Sequence, residues 1–97
     1  FSSEAEMELY LVFFEKNGPH HFEKLSALGC VRWRINRVWN KTGGFSVSLI
    51  YEYANDKSFK DCQIEIGKFV KQNESFYKKL NIKRTASRAI NILDFQN

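Results

Sequence analysis

The sequence predicts an α+β domain, an antiparallel sheet with helices packed on one of its faces. Two stretches of apolar–polar alternation flank a glycine-bearing turn, and residues 59–72 place apolar side chains at helical spacing. The 97-residue length with 43% hydrophobic residues allows one modest core, which excludes large multi-domain enzymes and two-lobed catalytic clefts. An aromatic content of 15% argues against a disordered chain, and no apolar run is long enough to span a bilayer. Residues 1–97 read as one domain, without repeats or linkers.

The first segment admits two readings. As a strand, Met7, Leu9, Leu11 and Phe13 align, but Tyr10, Val12 and Phe14 then occupy the other face. As a helix, Ala5, Leu9, Val12 and Phe13 share a face and Ser2 or Ser3 supplies a cap. The early glutamates suit the positive end of the helix dipole, and Lys16-Asn17-Gly18-Pro19 is a stop signal. These terminal signals favour a helix over residues 4–16.

A hairpin follows. Val31, Trp33 and Ile35 alternate with Arg32, Arg34 and Asn36; Asn40-Lys41-Thr42-Gly43-Gly44 makes the turn; Phe45, Val47, Leu49, Tyr51 and Tyr53 alternate with Ser46, Ser48 and Glu52. A second helix is expected from about residue 59, capped by Ser58, with Phe59, Cys62, Ile66, Phe69 and Val70 on one face. Phe76, Lys78, Leu80 and Ile82 alternate with Tyr77, Lys79, Asn81 and Lys83, the pattern of a strand with one basic face. Residues 86–95 fit a short strand or a short helix, and 85–97 reads as a C-terminal extension.

The net charge of +4 is unevenly placed. Residues 1–27 carry net −3, residues 28–51 net +4 with no acid, residues 52–75 net −1, and residues 76–97 net +4. On the first strand, alternation puts Arg32 and Arg34 together opposite Trp33, where guanidinium groups can fork onto phosphate oxygens or face solvent. Trp39, Tyr51 and Tyr53 suit base stacking or core packing. No glycine-rich phosphate loop, nucleophile elbow or cysteine–histidine ligand set is present, so no catalytic residue, metal site or cofactor is expected. Adjacent His20 and His21 read as solvated, and Cys30 and Cys62 as buried free thiols.

Taken in order, several short strings are similar to those of the ribosomal protein S-six family of the bacterial-type small subunit. Asn17-Gly18 closes a helix, Leu28-Gly29 precedes a basic aromatic strand ending Arg34-Ile35, Gly43-Gly44-Phe45 opens the second strand, and Asn73-Glu74 leads into Phe76–Lys83. The resemblance covers residues 2–84 and implies a ferredoxin-like plait, an antiparallel sheet with two helices on one face. It departs from the family at Trp33-Arg34-Ile35-Asn36-Arg37, where a proline is expected, and at the start, where the family has a strand before its first helix.

What the resemblance implies is a structural role without catalysis or cofactor: binding small-subunit ribosomal RNA beside a small basic partner of the S-eighteen type. Arg32, Arg34, Arg37 and Lys41, with Lys78, Lys79, Lys83, Arg84 and Arg88, are then the expected contacts to phosphate or partner. The Asn/Ile/Lys/Phe-rich composition favours a mitochondrial over a bacterial ribosome. The competing expectation is a stand-alone protein-interaction module of the same fold, such as an immunity or regulatory protein, using its exposed sheet face or an edge strand.

Overall fold

The computed structural model describes residues 1–39 and 44–97. Its elements are α1 (Glu4–Ala27), β1 (Cys30–Val38), β2 (Ser46–Tyr53), α2 (Asp56–Gln72) and α3 (Glu74–Lys78). The α+β class of the sequence reading holds, and the first segment is helical. Ser3 Oγ caps α1 by accepting the Glu6 N–H at 3.2 Å, with Glu4 and Glu6 in the first turn.

The stop expected at Asn17-Gly18-Pro19 does not act: α1 runs through it for 24 residues, about 36 Å at 1.5 Å per residue. The reason is its buried stripe. Met7, Tyr10, Phe14, Gly18, His21 and Leu25 follow one another at steps of three or four, so both halves present one continuous face to the sheet and α2. A proline and a glycine inside a helix cost about 3 and 1 kcal/mol, less than burying several large side chains returns. The stripe also corrects the expected core face, because Leu9 and Val12 lie on the outer side, each more than half exposed.

β1 and β2 pair antiparallel in a two-stranded sheet, with Trp33 opposite Tyr51, Ile35 opposite Leu49 and a bulge between Cys30 and Arg32. Trp33, Ile35, Val47, Leu49, Tyr51 and Tyr53 pack on the helix side. α2 starts three residues before the expected point, because Asn55 rather than Ser58 is its cap: Asn55 Oδ1 accepts the Ser58 N–H at 2.8 Å. Its expected apolar face is present, with Cys62 fully buried.

The strand expected at 76–83 is replaced by α3 and an irregular segment. A strand would send Phe76 and Tyr77 to opposite faces. In a helical turn both reach the core: Phe76 stacks on Phe13 at 4.0 Å, and Tyr77 meets Tyr10 at 6.4 Å. Leu80 is buried beyond the helix end, whereas residues 86–95 form neither helix nor strand, and Ile90, Ile92, Leu93 and Phe95 are exposed. Among the described residues the sheet therefore has two strands, half the number in a ferredoxin-like plait.

Leu28 and Gly29 join α1 to β1. Gly29 has φ 103°, and a Cβ there would sit 2.0 Å from Ser58 Oγ, so the first turn of α2 closes directly on the glycine. Gly29→Ala is expected to lower unfolding free energy by about 1–3 kcal/mol through backbone strain alone, with the clash adding to it. Urea midpoints should show a partial recovery in Gly29→Ala/Ser58→Gly, which removes the clash and keeps the strain; an unshifted midpoint in Gly29→Ala would contradict the packing described.

Candidate binding surfaces

The helix-free face of the hairpin is the first candidate. Its side chains alternate with the core residues: Arg32, Arg34 and Asn36 on β1, and Ser48, Ile50 and Glu52 on β2. Arg34 Nη2 donates to Glu52 Oε1 at 3.1 Å, and Asn36 Nδ2 to Ser48 Oγ at 3.4 Å. Ile50 is 41% exposed between them. Arg32 has no carboxylate within ion-pair distance among the described residues, so it is a free cation on this face.

Among the described residues, the cations expected to contact phosphate or a partner are divided among several surfaces. Arg37 has the parity of Trp33 and Ile35, so it turns to the helix side and pairs with Glu8 of α1. This separates it from Arg32 and Arg34. Lys78 pairs with Glu74 at 2.8 Å along α3, and Arg88 pairs with Asp56 while its guanidinium lies 4.0 Å over the Phe59 ring. Arg84 lies 5.7 Å over the Tyr77 ring. Lys79 and Lys83 have no carboxylate within ion-pair distance among the described residues. The expected contact Lys41 and most of the expected turn, Asn40–Gly43, lie outside the described residues.

The sheet aromatics turn inward. Trp33 stacks on Tyr51 at 5.5 Å, and Tyr51 on Tyr53 at 6.2 Å. Burial holds the Tyr51 hydroxyl well above the ordinary tyrosine range and pushes Tyr53 up to about 12. Trp39, 88% exposed at the hairpin end, is the aromatic left free. It borders a cavity of about 460 Å³ with Met7, Arg37 and Phe45. Cys30 and Cys62 are buried free thiols, as expected, and burial raises both.

A second cavity, about 230 Å³, lies between α1 and α2 and was hidden in the sequence. Lys16, His20 and Lys24 fall four residues apart on α1, and Asn17 and His21 likewise; these spacings carry meaning only if the helix continues past Pro19. His21 is not solvated, contrary to expectation. It is 3% exposed, stacked on Phe69 at 3.9 Å and edge-on to Trp33 at 5.6 Å.

An uncovered sheet face backed by two helices defines a small α+β domain with its polar surface on the hairpin. The chain belongs to the family described as Domain of unknown function (DUF6974), whose family model matches residues 1–90. No curated protein and no solved structure matches it.

Two measurements check these assignments. A double-mutant cycle between Glu8 and Arg37 is expected to give a coupling of about 0.2–1 kcal/mol, the range of exposed ion pairs, while a Glu8–Arg32 cycle gives none. The second concerns His21, whose proton affinity burial lowers below the ordinary histidine value. The unfolded chain then binds the proton more readily, so this contribution to stability is complete above about pH 6.5 and is lost as pH falls towards the depressed folded value. His21→Phe, which preserves the stacking, should flatten urea stability between about pH 7 and pH 5 relative to the parent.

Proposed function

We propose that the domain is a protein-interaction module that docks a partner on the open face of the hairpin. The observation that carries this reading is the composition of that face: apolar Ile50 bordered by Arg32, the Arg34–Glu52 pair and the Asn36–Ser48 amide–hydroxyl pair. An apolar centre with a polar rim is the anatomy of protein interfaces. A sheet that reads single-stranded RNA presents aromatics for base stacking, and Trp33, Tyr51 and Tyr53 are instead committed to the core. Free Arg32 gives the face a preference for an acidic partner surface. The order helix, strand, strand, helix is the middle of a βαββαβ plait, so a ferredoxin-like reading takes its remaining strands from outside the hairpin.

A second reading retains support from one observation: Arg32, Lys79 and Lys83 have no acidic partner among the described residues and suit phosphate contact. It is the structural ribosomal role, in a small subunit and by composition a mitochondrial one, with ribosomal RNA and an S-eighteen type neighbour as partners. Against it, Asn17-Gly18 lies inside α1, and Asn73-Glu74 leads into α3 instead of a strand.

A photo-crosslinking residue at Asn36 tests the choice in cells of the native source. The protein reading expects a ribonuclease-resistant protein adduct that Ile50→Glu abolishes. Adducts destroyed by ribonuclease would overturn it, as would co-sedimentation with ribosomal particles that weakens in Lys79→Gln/Lys83→Gln.

A further inference from the structure

We propose that the cleft between α1 and α2 binds a small oxyanion, a carboxylate or phosphate group, held by Lys16 and His21 with Lys24 at the far end. The α1 wall places Lys16, His20 and Lys24 on successive turns, about 12 Å from first to last at 1.5 Å per residue. The α2 wall contributes Glu65 and Phe69. Lys16 has no carboxylate within ion-pair distance among the described residues, and Lys24 holds Glu65 only at 4.0 Å. Two ammonium groups therefore share one acid, and the cleft carries positive potential strongest at the Lys16 end.

His21 is the second, independent observation. Its ring lines the cleft, yet the residue is 3% exposed and no described residue hydrogen-bonds it; its neighbour His20 is the histidine paired with Glu23, at 3.4 Å. Phe69 and Trp33 fix the ring plane, so the imidazole is held in one orientation without a hydrogen-bond partner among the described residues. The buried side-chain nitrogens without a partner among the described residues are Trp33 Nε1 and Arg34 Nε and not those of His21, so the imidazole N–H opens to the cleft, where an anion accepts it in place of water. The amide NH₂ groups of Asn17 and Asn73 each spend one of two N–H donors, at 2.9 Å, on the carbonyl of Phe13 and of Phe69 respectively. The donors open to an anion are the lysines, His21, Gln72 and the second amide N–H of Asn17 and Asn73. At about 230 Å³ the cleft is smaller than typical drug-sized pockets, which restricts the ligand to a small anion.

Occupancy is linked to protons. Desolvation is the largest influence keeping His21 neutral, Lys24 and His20 on α1 act in the same direction, and Glu65 on α2 opposes them; Trp33, from β1, is uncharged. An oxyanion beside the ring favours the imidazolium, so binding takes up a proton and tightens as pH falls from about 7 towards 6.

The test is a nuclear magnetic resonance titration of the intact chain with inorganic phosphate and, separately, with succinate, each at constant ionic strength set by chloride. The expected result is a saturable shift of the His21 ring signals with at least one anion and a rise in His21 pKa at saturation. Saturation by phosphate alone assigns a phosphate ligand, and by succinate alone a carboxylate. Affinity should fall about tenfold in Lys16→Gln, the loss of one charged hydrogen bond, and less in Lys24→Gln. His21→Phe should reduce the pH dependence of any remaining binding to that of the anion's own ionisation while leaving the fold intact. Shifts that fail to saturate, that chloride reproduces, or that persist with unchanged affinity in Lys16→Gln would overturn the assignment.

Discussion

The indole of Trp33 is the joint on which the two halves of the core meet. It belongs to both apolar clusters, the one built on Tyr10, Phe14 and Leu80 and the one built on Leu25, Cys30 and Cys62. Phe14 and His21 approach its edge, Tyr51 stacks on its face, and Gly18 faces it, where a Cβ would make an ordinary contact 3.6 Å from the ring. A two-stranded hairpin is marginal alone and needs a helix against its apolar face. Here one side chain from the hairpin meets the buried stripe of a long helix on both sides of Pro19, at Phe14 and at His21, so α1 cannot bend away there without opening the contact. The geometry has a cost of its own, since Trp33 Nε1 is buried with no hydrogen-bond partner.

Helix continuity in turn decides where charge goes. With α1 unbroken, Glu8 stands over the end of β1 and takes Arg37 away from the outer face, while Lys24 is brought opposite Glu65 of α2. The acidic first segment and the basic hairpin segment, separate in sequence, thus partly neutralise each other in space. Exposed pairs of this kind add little stability, but they set which cations remain available to a partner. Among the described residues of the open sheet face that leaves Arg32 as the cation without an acid.

What the sequence made legible followed from short-range rules. Alternation located the hairpin and its inward face, and apolar spacing located α2, because each signal is contained within one element. The cap of α2 was misplaced by three residues because Asn55 and Ser58 are both good caps, and Asn55 is the one whose side chain reaches the Ser58 N–H. The run 76–83 alternates as a strand would, yet paired aromatics at Phe76 and Tyr77 find the same core from a helical turn, a preference decided by Phe13 and Tyr10 more than sixty residues away. Alternation already sets Arg37 on the face opposite Arg34, but the partners that take them, Glu8 of α1 and Glu52 across the hairpin, come from elsewhere in the chain and are set by the fold.

Gly18-Pro19 is the most consequential of these cases, because one local rule hid both a fold element and a site. Read as a terminator, it assigns Lys16 and Asn17 to a helix end and His20, His21 and Lys24 to a loop, where charged and imidazole side chains need no explanation. Read as helix interior, the same residues become a ridge facing α2, and position 18 faces the Trp33 ring, where a Cβ would make an ordinary van der Waals contact at 3.6 Å. The packing of α1 on that ring holds the next turn down, which buries His21 against Phe69 and leaves the lysines at the rim of the cleft. Position 18 and the buried histidine at position 21 therefore lie on one face of α1 against the same tryptophan.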